Sequence, residues 1–162
     1  MEYKSDCGVL ENKRVRYYFR YPVAAPFGEY YSEVAQKCLL WVQKEYGEYS
    51  GRGITYRFLA DASFCGDGIT SVTVNFYVDE KGEGRQKQRF YAQNWLDSGH
   101  VLPIFALKAQ NIVKSIPKNA IGYFISNGEI CFFDEKGQKN STGVKFGKLS
   151  QEILPQNLKK RS

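Results

Sequence analysis

The sequence predicts an α+β fold: an antiparallel sheet with one long amphipathic helix and shorter C-terminal helices packed on one face, plus a C-terminal β-hairpin. Three observations indicate this class. Several short runs alternate apolar and polar residues, which is typical of strands with one buried face. One longer segment has apolar residues at steps of three and four, as in a helix that packs against a sheet. An Asn-Gly pair separates two apolar runs near the C-terminus.

The first predicted strand and the long helix lie in the N-terminal third of the chain. Residues Val15 to Tyr21 alternate between an apolar set and a set rich in arginine, which predicts a half-buried strand. Pro22 then ends the strand and prevents an immediate helix. From Glu29 to Tyr46 the apolar residues follow helical spacing, and the glycines after Tyr46 end this helix.

Three further runs alternate with a period of two and are joined by short polar turns. We predict strands at Ile54–Ala62, Ile69–Val78 and Arg85–Gln93. Because their connections are short, antiparallel pairing with one covered face is expected. A weakly patterned helix is predicted over Leu102–Ile116, where Pro103 suits the first turn.

The Asn127-Gly128 pair is the sharpest local signal in the sequence. Both residues tolerate the positive backbone angles of a type I′ turn, so we predict a β-hairpin over Gly122–Phe133. A short strand near Val144–Phe146 and a helix at about Leu149–Leu158 complete the predicted order.

Length and charge set the class of protein. The chain has 162 residues and a formal net charge of +6, from 23 basic and 17 acidic side chains. We predict one domain over residues 1–158 and a basic C-terminal tail at 159–162. No apolar run approaches the roughly 20 residues that cross a bilayer, and no secretory signal is visible. We therefore expect a soluble protein without a membrane span, cytoplasmic by default and extracellular if the chain is truncated.

The cysteines and the single histidine argue against a metal site. Cys7, Cys38, Cys65 and Cys131 are too far apart to form the close pairs of zinc sites, and His100 is the only histidine. We predict no metal and no cofactor. Four cysteines could form two disulfides. Because Cys38 and Cys131 fall in apolar segments, we favour free thiols.

The sequence contains no evident set of catalytic residues, and we predict that the protein is not an enzyme. Any Ser–His or Cys–His device would depend on His100, which lies in a turn-like stretch. Asp61 and Asp67 flank one predicted turn, and three acidic residues between 79 and 83 fill another, as solvated turns normally do. Neither a dinucleotide fingerprint in its strand-to-helix context nor a phosphate-binding loop motif is present.

The outward face of the predicted sheet is the candidate binding site. Alternation places arginines and tyrosines on the side opposite the apolar set, and both residue types are enriched at binding hot spots. They also suit nucleic acid, because cations contact phosphate and rings stack on bases. A solvated face that discourages edge-to-edge association is a third possibility. The predicted binding residues are Arg16, Tyr18, Arg20, Arg57, Tyr77, Arg89 and Tyr91.

Several stretches resemble a known family. Tyr17–Pro22 is similar to an opening strand that ends at a proline, and Trp95–Phe105 to a glycine turn before a short helix. Phe124–Phe133 and Gly143–Leu149 are similar to a terminal hairpin, strand and helix. Together they resemble a bacterial domain of unknown function found in the extracellular part of the lysozyme-sensing anti-sigma-V factor RsiV. Related domains accompany some peptidoglycan deacetylases. The segment Asp79–Arg85 departs from the glycine-rich, histidine-containing hairpin that this family often has.

The resemblance implies this fold and a non-catalytic, protein-binding role. We therefore expect an RsiV-like binding domain with a protein partner, which uses the basic, tyrosine-rich sheet face. A nucleic-acid-binding module that uses the same arginines and tyrosines is the alternative. The sequence names neither the partner nor the oligomeric state.

Overall fold

The computed structural model describes residues 1–51, 53–80, 84–104 and 114–146, without the side chains of residues 80 and 84–88. This part of the chain is mostly β, with eight strands in two sheets and one long helix. The predicted α+β class, with several C-terminal helices packed on one face, is therefore wrong. The elements are β1 Tyr3–Val9, β2 Val15–Pro22, α1 Gly28–Tyr46, β3 Ile54–Gly66, β4 Ile69–Glu80, β5 Gly84–Leu96, β6 Ala120–Ser126, β7 Glu129–Asp134 and β8 Lys139–Lys145.

The larger sheet has the strand order β1-β2-β3-β4-β5 and is not purely antiparallel. β1 pairs antiparallel with β2, whereas β2 pairs parallel with β3. The parallel pair arises because α1 carries the chain back before β3 begins, which a short turn cannot do. β1 was not predicted because its residues lack apolar alternation, and most of its side chains are exposed.

The smaller sheet has the order β6-β7-β8 and contains the predicted hairpin. β6 and β7 pair antiparallel across Asn127 and Gly128, whose φ angles are 52° and 74°. Positive φ at both turn residues is what a type I′ turn requires, so the hairpin prediction is confirmed. β8 begins five residues before the strand predicted at Val144–Phe146.

Of the two helices predicted after the last strand of the larger sheet, the structure describes only the ends of one, Leu102–Ile116. Leu102 donates its N–H to the Asn94 carbonyl at 2.8 Å, and Val101 forms a bridge with Trp95, so the chain is extended there. A helix therefore does not begin at Leu102. The central residues of this prediction, the whole of Leu149–Leu158 and the tail at 159–162 lie outside the described residues. In the part of the chain that the structure covers, no helix is long and apolar enough to cross a bilayer.

The chain divides into two compact units. The first comprises residues 1–61 and 74–90, and the second comprises residues 62–73 and 91–162. The strands β3, β4 and β5 each contribute residues to both units. The single domain over residues 1–158 stays a prediction.

In the first unit, α1 covers one face of β2 and β3. The residues of this face are almost completely buried, among them Val15, Phe19 and Phe58. Trp41 of α1 lies against Tyr56 of β3, with 5.7 Å between the ring centroids. Since side chains alternate along a strand, the residues between these buried positions point to the opposite face.

In the second unit, the smaller sheet closes an apolar core that includes Ile69, Leu96 and Ile125. Polar groups hold β6 in place around this core. Ser63 Oγ donates to the Ile125 carbonyl at 2.6 Å, and Ser71 Oγ accepts from the Ile125 N–H at 2.9 Å. These bonds satisfy the backbone of a fully buried residue, which explains two serines in an otherwise apolar region.

The turn between β1 and β2 is anchored by Asn12. Its Nδ2 donates to the carbonyls of Tyr46 and Gly47 at the end of α1, at 2.7 and 3.2 Å, and its Oδ1 accepts from the Arg14 N–H at 3.0 Å. This one amide therefore satisfies carbonyls that a helix end leaves open.

We expect Asn12→Ala to lower the free energy of unfolding by about 2 kcal/mol, because it removes several side-chain hydrogen bonds at once. Chemical denaturation measures this loss, and the exposed Asn140→Ala is the matched control. Asn12→Asp should destabilise at least as much, since its carboxylate would face the carbonyl oxygens of Tyr46 and Gly47. An Asn12→Ala variant as stable as the control would show that the turn does not depend on this amide.

Candidate functional site

The face of β2 and β3 opposite α1 carries four of the predicted binding residues. Arg16, Tyr18 and Arg20 alternate along β2, and the parallel register places Tyr18 beside Arg57 of β3. Their neighbours along each strand are the buried residues under α1, so these four side chains share the other side of the sheet. We call Arg16, Tyr18, Arg20 and Arg57 the basic face.

Arg20 is held from two directions. Its guanidinium forms a charge-assisted hydrogen bond with the Asp61 carboxylate of β3. It also lies over the Tyr3 ring of β1, 3.9 Å from the centroid, which is a cation–π contact. The two contacts fix the direction of the side chain, although the ion pair is too exposed to add much stability.

Arg57 repeats this arrangement with other partners. Its Nε lies 3.4 Å from Asp79 Oδ2 of β4, and its guanidinium lies 5.8 Å from the centroid of the Tyr18 ring. Tyr18 of β2 and Arg57 of β3, both predicted binding residues, are thus in contact. Each paired arginine of the basic face has one carboxylate and one aromatic ring as partners.

Arg16 differs from the other two arginines of the basic face. It is exposed, and among the described residues it forms no ion pair. It lines a cleft of about 440 Å³ where β2 and β3 both begin. The residues that line the cleft are Lys13, Arg14, Arg16, Gly53, Ile54, Thr55 and Asp79.

Among the residues that the structure describes, three cations and one carboxylate line this cleft. Arg14 Nη1 donates to the Gly51 carbonyl at 2.9 Å, which holds the side chain against the loop before β3. Asp79 is already paired with Arg57. The local charge is therefore positive, and an anion is the ligand that such a surface attracts.

The remaining three predicted residues lie on β4 and β5. Tyr77 is buried, with 8% of its surface exposed. Tyr77 therefore offers little exposed surface to a partner, although alternation places it on the same side of β4 as Asp79. Arg89 is exposed and lies over the Phe76 ring, 5.9 Å from its centroid. Tyr91 is half-buried and belongs to the second unit.

The residues considered for catalysis are exposed or paired with arginines. His100 is exposed, and its Nδ1 lies 3.2 Å from Ser98 Oγ in the same turn. Asp61 and Asp79 pair with arginines of the basic face, so neither carboxylate stands alone in a pocket. Within the described residues, no group of three histidine, cysteine or acidic side chains could hold a metal ion.

All four cysteines are free thiols, as the sequence favoured. Cys7 and Cys65 are exposed, whereas Cys38 and Cys131 are partly covered. Burial raises the pKa of Cys38, partly offset by its hydrogen bond with Tyr56, and burial likewise raises the pKa of Cys131. A raised pKa lowers the fraction of reactive thiolate at neutral and mildly basic pH.

We expect Ellman's reagent at pH 8 to modify two thiols quickly and two slowly in the folded protein. The fast pair should be Cys7 and Cys65, since these are exposed, and Cys7→Ser should remove half of the fast phase. In denaturant all four should react at similar rates. Four equal rates in the folded protein would contradict the burial of Cys38 and Cys131.

The predicted binding set left out Lys13, Arg14 and the carboxylate partners of the basic face, although alternation already placed Arg14 on the same side of the strand as Arg16. The missed signal was the run Lys13-Arg14-Val15-Arg16, which places three cations within four residues at the start of a strand. The partners Asp61 and Asp79 were assigned to solvated turns because both lie near predicted strand ends. In the structure β3 and β4 continue further, and both residues lie within strands.

Comparison with known proteins extends the description of the fold. No family model matches the sequence, and no curated protein matches it. The structure is similar to a crystal structure of a DUF3298 family protein from Pseudomonas aeruginosa PAO1, with a TM-score of 0.63 and 10% sequence identity, covering 97% of this chain and 94% of that one. A DUF3298 family member from Bacteroides fragilis has a TM-score of 0.47 and 9% identity, over 96% of this chain and 94% of that one.

The Pseudomonas structure shows a shared fold, since at 10% identity a likeness carries no more than that. The sequence-based expectation of a bacterial domain of unknown function is consistent with the Pseudomonas structure. The resemblance to the RsiV domain stays a prediction. What this chain has in common with solved structures is the fold of a DUF3298 family protein.

Proposed function

We propose that this protein is a non-catalytic binding domain that takes an acidic segment of a partner protein on its basic face. The observation that carries the proposal is the arrangement of Arg16, Tyr18, Arg20 and Arg57 on one side of β2 and β3. Two of the three arginines are held in place by a carboxylate and a ring, and the third is exposed and without an ion pair in the described chain.

The charge of this region supports an acidic partner. Within the described part of the chain, five cations belong to the basic face and its adjoining cleft, and two carboxylates, Asp61 and Asp79, pair with them. Charge complementarity of this kind accelerates association and selects the partner. Arginines that are already fixed also lose less side-chain entropy when they bind.

The position of the rings favours protein over nucleic acid. Single-stranded nucleic acid gains much of its affinity when bases stack on exposed aromatic faces. Here the Arg20 guanidinium covers one face of the Tyr3 ring, and the Arg57 guanidinium lies over the Tyr18 ring. Stacking of bases would compete with these contacts, whereas carboxylates of a protein partner would add to the arginines without displacing them.

The same pairing supports a role without catalysis. A general acid or base needs a group that is free to exchange a proton with the substrate. Both carboxylates of this region, Asp61 and Asp79, are already paired with arginines, so neither stands free to act on a substrate.

The test is retention of partners from a lysate of the cells that make the protein. Three immobilised proteins are compared: the wild type, Arg16→Glu and the control Lys118→Glu, which changes the net charge equally at an exposed position of the second unit. The lysate is passed over each immobilised protein with and without nuclease treatment. Circular dichroism verifies that the variants are folded.

We expect one protein to be retained by the wild type and the control, to be lost on Arg16→Glu, and to resist nuclease. Its contacting segment, mapped by cross-linking, should be acidic. Retention that disappears with nuclease would move the assignment to nucleic acid. Equal retention on all three proteins would contradict the basic face as the contact surface.

A further inference from the structure

The cleft where β2 and β3 begin is built on a fixed backbone. The turn before β2 is held to the end of α1 through Asn12, and the Ile54 N–H donates to the Arg14 carbonyl at 2.9 Å. Lys13, between these two anchors, has a φ of 59°, in the left-handed region. Its place beside the cleft is therefore set by its neighbours before any ligand arrives.

We propose that this cleft is a binding site for a small multivalent oxyanion, the chemistry that phosphate esters and clustered carboxylates share. Lys13, Arg14 and Arg16 line one space, so their positive charges attract an anion there. An anion with two or more negative charges can accept hydrogen bonds from more than one of these side chains. Asp79, the one carboxylate among the described residues of the cleft, pairs with Arg57.

The remaining features of the cleft suit such a ligand. Its volume of about 440 Å³ lies within the range of small-molecule sites. Thr55 lies opposite Arg16 in the parallel register and lines the same space, so its hydroxyl is available to an oxygen of the ligand. Gly53 adds no side chain to fill the entrance.

This site does not depend on the protein-binding proposal, although it shares Arg16 with the basic face. Lys13 and Thr55 are outside the set that the protein partner is proposed to contact. A test with small anions alone contains no partner protein, so a negative result would leave the proposed function in place.

The experiment is a titration of the isotopically labelled protein with pyrophosphate and, separately, with citrate, followed by the backbone amide NMR signals. Chloride holds the ionic strength constant, because exposed charges are screened by salt. The variants are Lys13→Asn, which tolerates the left-handed backbone, and Arg16→Gln. Lys118→Gln is the matched control, which removes one charge from the second unit.

We expect saturable shifts at Lys13, Arg14 and Thr55 with at least one of the two anions. Each cleft variant should weaken binding about fivefold, and the double variant more than tenfold, whereas the control should bind as the wild type. Tighter binding of pyrophosphate would identify phosphate as the source chemistry, and tighter binding of citrate would identify carboxylates. Absence of saturation with both anions, or unchanged affinity in the double variant, would overturn the proposal.

Gly53→Leu provides a second variant that leaves the charge unchanged. A Cβ at this position would lie 3.8 Å from the Arg14 carbonyl oxygen, an ordinary contact, so the backbone accepts a side chain there. Because residue 53 lines the cleft, the leucine should occupy part of its volume and weaken both anions. Undiminished binding by folded Gly53→Leu would contradict the cleft as the site.

Discussion

Replacing Phe19 by alanine is expected to lower the free energy of unfolding by about 3–5 kcal/mol, a loss comparable to much of the stability of an ordinary domain. Phe19 is 1% exposed in the core of the first unit, beneath α1. Its ring meets the rings of Tyr56 and Phe58 nearly edge-to-face, with centroid distances of 6.1 Å in both cases. Truncation removes these contacts and leaves a cavity that the neighbouring strands cannot fill.

Tyr18→Ala is the matched control for this prediction. Tyr18 is the preceding residue of the same strand, is of similar size and lies on the opposite, solvent-facing side. Its removal forfeits the contact with Arg57, so we expect a cost of about 1 kcal/mol or less. The two substitutions therefore separate the buried face of β2 from the basic face.

Denaturant unfolding followed by tryptophan fluorescence measures both variants, because Trp41 of α1 contacts the same core at Tyr56. We expect the Phe19→Ala midpoint to fall steeply and the Tyr18→Ala midpoint to stay near that of the wild type. Similar losses for the two variants would contradict the alternation on which the basic face is defined.

Local patterns predicted the elements that depend on nearby residues. The 3.6-residue period over Glu29–Tyr46 and the Asn127-Gly128 turn each determined one element, and the structure has α1 and the β6–β7 hairpin there. Patterns could not reveal β1, since an exposed edge strand has no buried face to produce alternation. They also could not give the parallel pairing of β2 with β3, because pairing joins residues about 39 positions apart, as Val15 and Ile54 are.

The basic face was predictable in part, because the alternation of side chains along a strand is also a local pattern. Alternation within β2 places Arg16, Tyr18 and Arg20 on one side, and alternation within β3 does the same for Arg57. What alternation cannot supply is the identity of neighbours on other strands. The ion pairs of Arg20 with Asp61 and of Arg57 with Asp79 depend on strand order and register.

Arg16→Glu is expected to weaken the binding of the acidic partner by roughly 30-fold or more, which corresponds to the 2 kcal/mol of a hot-spot residue. The substitution removes an attraction and introduces a repulsion of the same partner. Arg16 is the suitable position because it forms no ion pair in the described chain. Arg57→Glu would instead set two carboxylates side by side at Asp79 and would disturb the fold as well.

The dissociation constant of the captured partner is measured for the wild type, Arg16→Gln and Arg16→Glu, at low and at high salt. Because the glutamine removes one unit of charge and the glutamate two, an electrostatic contact requires the loss for glutamate to exceed that for glutamine. The difference between them should shrink at high salt, where the Debye length is shorter. Equal losses for both substitutions, independent of salt, would show that Arg16 contributes shape rather than charge, and the partner would then have no need to be acidic.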